Sequence, residues 1–144
     1  MGFERCPTAH GHLLNVLARA DVDKMKDLAE SLIDLLDPVE VLKSRTGLVM
    51  LPMRDTVHGT DFHLGEVLVA EAHINVGSVE GYGMVVGRDL EHAMAMALID
   101  AAALTGVAVE NIWTFVDAEA RRIADVDRRT LCDVEATRVV METF

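Results

Sequence analysis

The stretch from Asp89 to Leu104, DLEHAMAMALIDAAAL, constrains the fold most, because it has helical character and almost no polar face. A helix that is apolar nearly all round has to be covered on most sides. Gly106 supplies a natural end for it. A bilayer is the wrong cover. The segment nearest to a membrane span, Ala93 to Val109, is built largely of alanine and contains Asp100, which near a bilayer centre costs about 2.5 to 3.5 kcal/mol. A helix buried in protein and followed by a turn fits better, so no membrane contact is expected.

The upstream sequence offers a sheet as cover. Val39 to Ser44, Leu48 to Leu51, Val67 to Val76 and Tyr82 to Val86 are rich in β-branched and apolar residues, and Gly47, Gly59, Gly65, Gly77 and Gly81 separate them. Four strands, mostly hairpin-connected and therefore antiparallel, are expected. In the longest, Ala70, Ala72, Ile74 and Val76 alternate with Glu71, His73 and Asn75. One face then looks toward a core and the other toward water or a partner.

Helices flank the sheet region. From Asp21 to Leu36 the residues Met25, Leu28, Ala29, Leu32, Leu35 and Leu36 recur three and four apart, with Asp21 as N-cap and Pro38 as stop. A shorter helix is expected around Leu13, Leu14 and Leu17, and a last one from about Asp117 to Met141. In that last helix Ala120, Ile123, Ala124, Leu131, Val134 and Met141 share a side, and Asp127 and Arg138 interrupt the seam, which argues against a simple coiled coil. There is no internal repeat or low-complexity linker. The expectation is a single α+β domain over residues 1–144: an antiparallel sheet of about four strands packed against N-terminal and C-terminal helices.

Charge narrows the partners. With 24 acidic and 13 basic residues the formal charge is −11, which repels a phosphate backbone and disfavours nucleic acid. The apolar fraction of 51% excludes glycine, whereas an ordinary soluble domain holds about 45 to 50% with glycine counted. The excess points to a buried partner interface. Cys6 and Cys132 lie at opposite ends without CxxC spacing, and no signal-peptide pattern opens the sequence. Both are read as free thiols in a reducing cytoplasm, Cys132 as a structural one.

The most informative local cluster is Gly81-Tyr82-Gly83-Met84-Val85-Val86-Gly87-Arg88-Asp89, followed by His92 and Asp100. At helical pitch Asp89, His92, Met96 and Asp100 fall in one narrow sector, a polar stripe on a greasy helix. A functional reading makes the stripe a partner or ligand contact, with Arg88 holding an anion at the helix start. The plainer reading is an N-cap at Asp89 and a solvated strip. Gly81, Gly83 and Gly87 precede a helix, yet neither GxGxxG nor GxxxxGK[ST] is present. Of the six histidines, the pairs His10 and His12, or His58 and His63, match no metal motif, so no metal is assigned. Cys132 has no evident base, there is no GxSxG elbow, and no catalytic residue is identified. Met50, Met53, Met84, Met94 and Met96 fall on sheet and helix surfaces expected to meet, first as core filler and second as an adaptable interface.

Several of these pieces occur in an order that resembles a known family. Thr46-Gly47-Leu48-Val49, then Arg54, Gly59, Phe62 and Gly65-Glu66, then Gly81-Tyr82 to Gly87-Arg88-Asp89 with His92-Ala93 and Leu98-Ile99-Asp100-Ala101, are similar to the phosphonate metabolism G subunits. The similarity continues through Val134-Glu135-Ala136-Thr137-Arg138-Val139 and covers all but about the first ten residues. The resemblance implies membership of the carbon–phosphorus lyase core complex, a hetero-oligomer of G, H, I and J subunits assisted by an ABC-type L subunit. It implies a reaction in which methylphosphonate displaces adenine from the ribose C1′ of MgATP, giving ribose 1-methylphosphonate 5-triphosphate.

In that family the I subunit is understood to hold the nucleosidase-like activity. A G-type chain would then be an accessory part of a transferase, inactive alone, with MgATP as substrate of the complex and no cofactor of its own. There are two departures from the family pattern: Ala70-Glu71 stands where relatives carry Thr-Arg, and Leu90 where a lysine often follows Gly-Arg-Asp. Both remove positive charge. Arg54 and Arg88 remain the anion or partner candidates, with Asp89, His92 and Asp100 beside Arg88. Two other readings stay open: a small-molecule-binding homo-oligomer without chemistry, and a stand-alone metal-dependent enzyme.

Overall fold

A computed structural model describes residues 9–139. The elements run α1 (Ala9–Leu17), α2 (Val22–Ile33), β1 (Val39–Arg54), β2 (Asp61–Val76), β3 (Val79–Val86), α3 (Leu90–Thr105) and α4 (Val109–Ala136). The fold is α+β, with an antiparallel sheet in the order β1-β2-β3. The described sheet has three strands rather than four. Gly47 does not interrupt β1 but pairs with Val69 in extended conformation, so Val39–Ser44 and Leu48–Leu51 are halves of one strand. Gly65 and Gly81 likewise lie inside strands, while Gly59 and Gly77 sit in turns. The second hairpin closes through Gly77-Ser78, where φ of +62° at Gly77 suits a residue without Cβ.

The expected greasy helix is α3. Asp89 caps it, its side chain accepting from the His92 N–H at 2.9 Å, and Gly106 ends it with φ of +79°. From Ala93 to Ala102 nearly every residue is buried. Two glycines of β3 allow the sheet to come that close. A Cβ on Gly81 would stand 2.3 Å from the Ala97 carbonyl oxygen, and one on Gly83 would stand 2.1 Å from that of Ala93. Small residues thus face each other across the contact: Gly81 and Gly83 on the strand, Ala93, Ala97 and Ala101 on the helix. The inner face of β2, with Ala70, Ala72, Ile74 and Val76 buried, follows the expected alternation.

The N-terminal helices pack chiefly on α3 and α4 rather than directly on the sheet. Leu13, Leu17, Met25, Leu32, Ile99, Ile112 and Val116 are fully buried among them, each worth about 1.5 to 3 kcal/mol relative to exposure. The cap at Asp21 is as expected, accepting from Lys24 N–H. The last helix begins at Val109, well before Asp117, and its start carries no capping side chain because Ala108 occupies the N-cap position. Met141 and Cys6 lie outside the described residues. Cys132 is exposed on α4, not buried as a structural thiol would be. No helix among the described residues is long and apolar enough to cross a membrane.

Candidate functional site

The stripe on α3 faces inward. His92, Met96 and Asp100 are buried, Asp100 with 1% of its surface exposed, so the solvated-strip reading is wrong while the N-cap at Asp89 is right. The cause is cover from both sides: β3 lies against one side of α3 and the α1 region against another. Polar side chains so enclosed need partners. The Asp100 carboxylate accepts from His10 Nε2–H at 2.6 Å and from the Tyr82 backbone N–H at 3.0 Å. His92 Nε2–H donates to the Leu17 carbonyl at 3.0 Å. These bonds pin α1 and β3 onto α3, and nothing in the spacing of His10 pointed to this pairing.

A second polar cluster lies on the opposite face of the sheet. Arg45 Nε donates to Glu71 at 2.8 Å, the Tyr82 hydroxyl donates to the same carboxylate at 3.2 Å, and His73 pairs with Glu80 at 3.0 Å while standing edge-on to the Tyr82 ring. The hydrogen bond from Arg45 holds the Glu71 carboxyl below its ordinary range, against burial. Burial, then Glu71, pushes the Tyr82 phenol up, so it stays a donor. Strand alternation placed Glu71 and His73 on this face, but Arg45 meets Glu71 only through the β1–β2 register.

Glu119 forms a third site that sequence reasoning missed. It is buried on α4, and its carboxylate accepts from the Asp21 N–H at 2.9 Å and from Arg122 Nε at 2.7 Å, with Lys24 at 3.7 Å. Burial acts to raise its pKa, but these donors and cations outweigh it and the carboxyl ends below its ordinary value. Arg122 also donates to the Arg19 carbonyl, and Arg19 grips Asp127 through two bonds of 2.6 and 3.1 Å. Together they clamp the turn between α1 and α2 against α4.

The two candidate arginines are placed differently. Arg54 is exposed near the far end of the β1–β2 hairpin, where its Nε donates to the Gly59 carbonyl at 3.0 Å beside a turn in which Asp55 accepts from the Val57 and His58 N–H groups. Arg88 is exposed next to the α3 N-cap; its carbonyl accepts from the Leu90 N–H at 3.0 Å, and its side chain makes no hydrogen bond or ion pair with a described residue. Asp89 is exposed at its cap, whereas His92 and Asp100 are turned to internal partners, so the five candidates do not form one cluster. No three His, Cys, Asp or Glu residues converge as a metal site among the described residues.

One cleft stands out, about 530 Å³ and mostly apolar, between the root of the β1–β2 hairpin, β3 and the turn after α1; Ala18, Val49, Val69, Val85, Val86 and His92 line it. Beyond it the hairpin runs out as a ribbon in which all residues from Leu48 to Leu64 are exposed except the half-buried Asp55 and Gly59 of its turn. Met50 and Met53 are on that ribbon, not in the core.

Comparison with known proteins adds what geometry alone does not. Residues 9–144 match the model of the family described as phosphonate metabolism protein PhnG. A relative from Rhizobium meliloti (strain 1021), named alpha-D-ribose 1-methylphosphonate 5-triphosphate synthase subunit PhnG, is 28% identical over 127 residues, covering 88% of this chain and 81% of the relative. With nearly its whole length matched, this chain belongs to the PhnG family of phosphonate metabolism proteins.

Proposed function

We propose that this chain acts as one PhnG-like domain, an accessory subunit of a cytoplasmic complex that transfers the ribose triphosphate moiety of ATP to methylphosphonate with release of adenine. Its partners are the H, I, J and L subunits. MgATP enters as the substrate of the assembled complex, not as a cofactor of this chain. The observation that carries the reading is the division of polar and apolar groups. The buried acids and histidine, Asp100, Glu119 and His92, are committed to internal hydrogen bonds, while a ribbon of apolar side chains lies uncovered. That is the economy of a subunit whose chemistry is supplied elsewhere. The name of the relative supports the same reading.

Arg54 and Arg88 are proposed as the residues that meet an anion or a partner, with Asp89 contributing through the α3 N-terminus and His92 and Asp100 as positioning residues beneath it. Light scattering tests the subunit reading. Mixed with the H and I subunits, the chain is expected to enter a defined hetero-complex. A homo-oligomer that ignores those subunits and is stabilised by an unrelated small molecule overturns it.

A further inference from the structure

We infer that the β1–β2 ribbon beyond Thr46 and Ala70 is the arm by which this subunit docks, and that its occupant is a different chain of the complex, one that adds a strand to the ribbon edge and closes apolar surface over both faces. The inference rests on the subunit reading and names the surface and mode of contact.

The first observation is the ribbon's isolation. β1 pairs with β2 over its whole length, but β3 covers the far side of β2 only from Val69 to Val76. Residues 61–67 of β2 and all of β1 therefore present open edges. A two-stranded ribbon is marginal in water unless something covers it, and open edges are templates for strand addition.

The second observation is its chemistry. Opposite residues share a face, so Leu48 with Leu68 lies on one side and Val49 with Val67 on the other. Leu48 is 62% exposed, Met50 59% and Leu64 61%, joined by Leu51, Met53 and Phe62. Val86, just beyond the ribbon on β3, adds a further apolar side chain 79% exposed, and exposed apolar side chains gathered in this way mark interaction surfaces. Both faces are apolar, so a flat partner surface would leave one face wet.

The third observation is charge, which selects a different chain over a second copy. The ribbon beyond Thr46 and Ala70 holds Arg54 against Asp55, Asp61 and Glu66, a net of −2 in a chain of net charge −11. Ribbon and remainder are both negative, so two copies brought together would repel. β1 is also interrupted by register shifts at Val41/Lys43 and Leu51/Pro52, and Pro52 lacks the N–H that edge-to-edge pairing needs. A neutral or basic partner strand laid on the β2 edge, at residues 61–67, avoids both obstacles.

The test is co-expression of the full chain with the H, I and J subunits, read by light scattering. L48D/L64D places two charges on exposed ribbon positions, and L131D places one on an exposed α4 position as control. Circular dichroism melts establish that each variant is folded. The expected result is association weakened about tenfold or more by the ribbon pair, at unchanged melting temperature, with L131D assembling normally. Normal assembly of the ribbon variant overturns the inference while leaving the subunit reading intact. Failure of the unaltered chain to assemble overturns the subunit reading. A homodimer that L48D/L64D converts to monomer assigns the ribbon to a second copy and overturns the choice of occupant.

Discussion

Gly83 shapes this fold by what it lacks. Its absent Cβ lets β3 lie on α3, and a methyl there would meet the Ala93 carbonyl oxygen at 2.1 Å, an atom that cannot yield without shifting the helix. G83A is expected to destabilise by about 1 to 3 kcal/mol or more, measured by urea denaturation. G65A, where the strand is extended and nothing lies within 4 Å, should change stability by less than about 0.5 kcal/mol. Equal losses at the two positions would refute the close-packing account. Asp100 makes a second residue-scale prediction. D100A leaves the Tyr82 N–H and the His10 ring without their acceptor and should cost about 1 to 3 kcal/mol, with faster amide exchange at Tyr82. The polar stripe that contains Asp100 was legible in the sequence, because helical pitch alone sets Asp89, His92, Met96 and Asp100 in line. Which way it faced was not legible, since that depends on α1 returning from ninety residues away in sequence to supply His10.

At the scale of elements, the clamp of α4 on the α1–α2 turn gives a pH dependence. Glu119 has a folded pKa below its ordinary 4.5, so the unfolded chain takes up a proton first as pH falls. Its contribution is complete above about 4.5 and is lost as pH drops through the lower folded value. Asp21, Asp55 and Glu71 are shifted the same way. Thermal melts should therefore fall in temperature below pH about 4.5, and E119Q should be less stable at neutral pH and flatter in its acid dependence. An unchanged slope in E119Q would remove Glu119 from that role. Elements whose boundaries carried chemical markers were readable from sequence: α2 from Asp21, α3 from Asp89 and Gly106. The start of α4 was not, because Ala108 takes a left-handed φ of 49° with no capping side chain and apolar residues run on from α3. The first half of β2 was missed for another reason. His63, Gly65 and Glu66 have little strand character of their own, and cross-strand pairing with β1 holds them extended.

For the whole molecule, the mismatch between a satisfied polar interior and an uncovered apolar ribbon is what ties structure to role. The excess of apolar residues visible in the composition is accounted for in part by that ribbon, and the methionines Met50 and Met53 belong to it rather than to the core. The sequence could suggest an interface from such an excess, but strand length and register were needed to locate it. The subunit account is tested most directly by phosphonate-dependent adenine release, measured from MgATP and methylphosphonate with the H, I and L subunits, with and without this chain. The account predicts no release by the chain alone and release by the subunits only when the chain is present. Equal release without it, or release by the chain alone, would contradict the account.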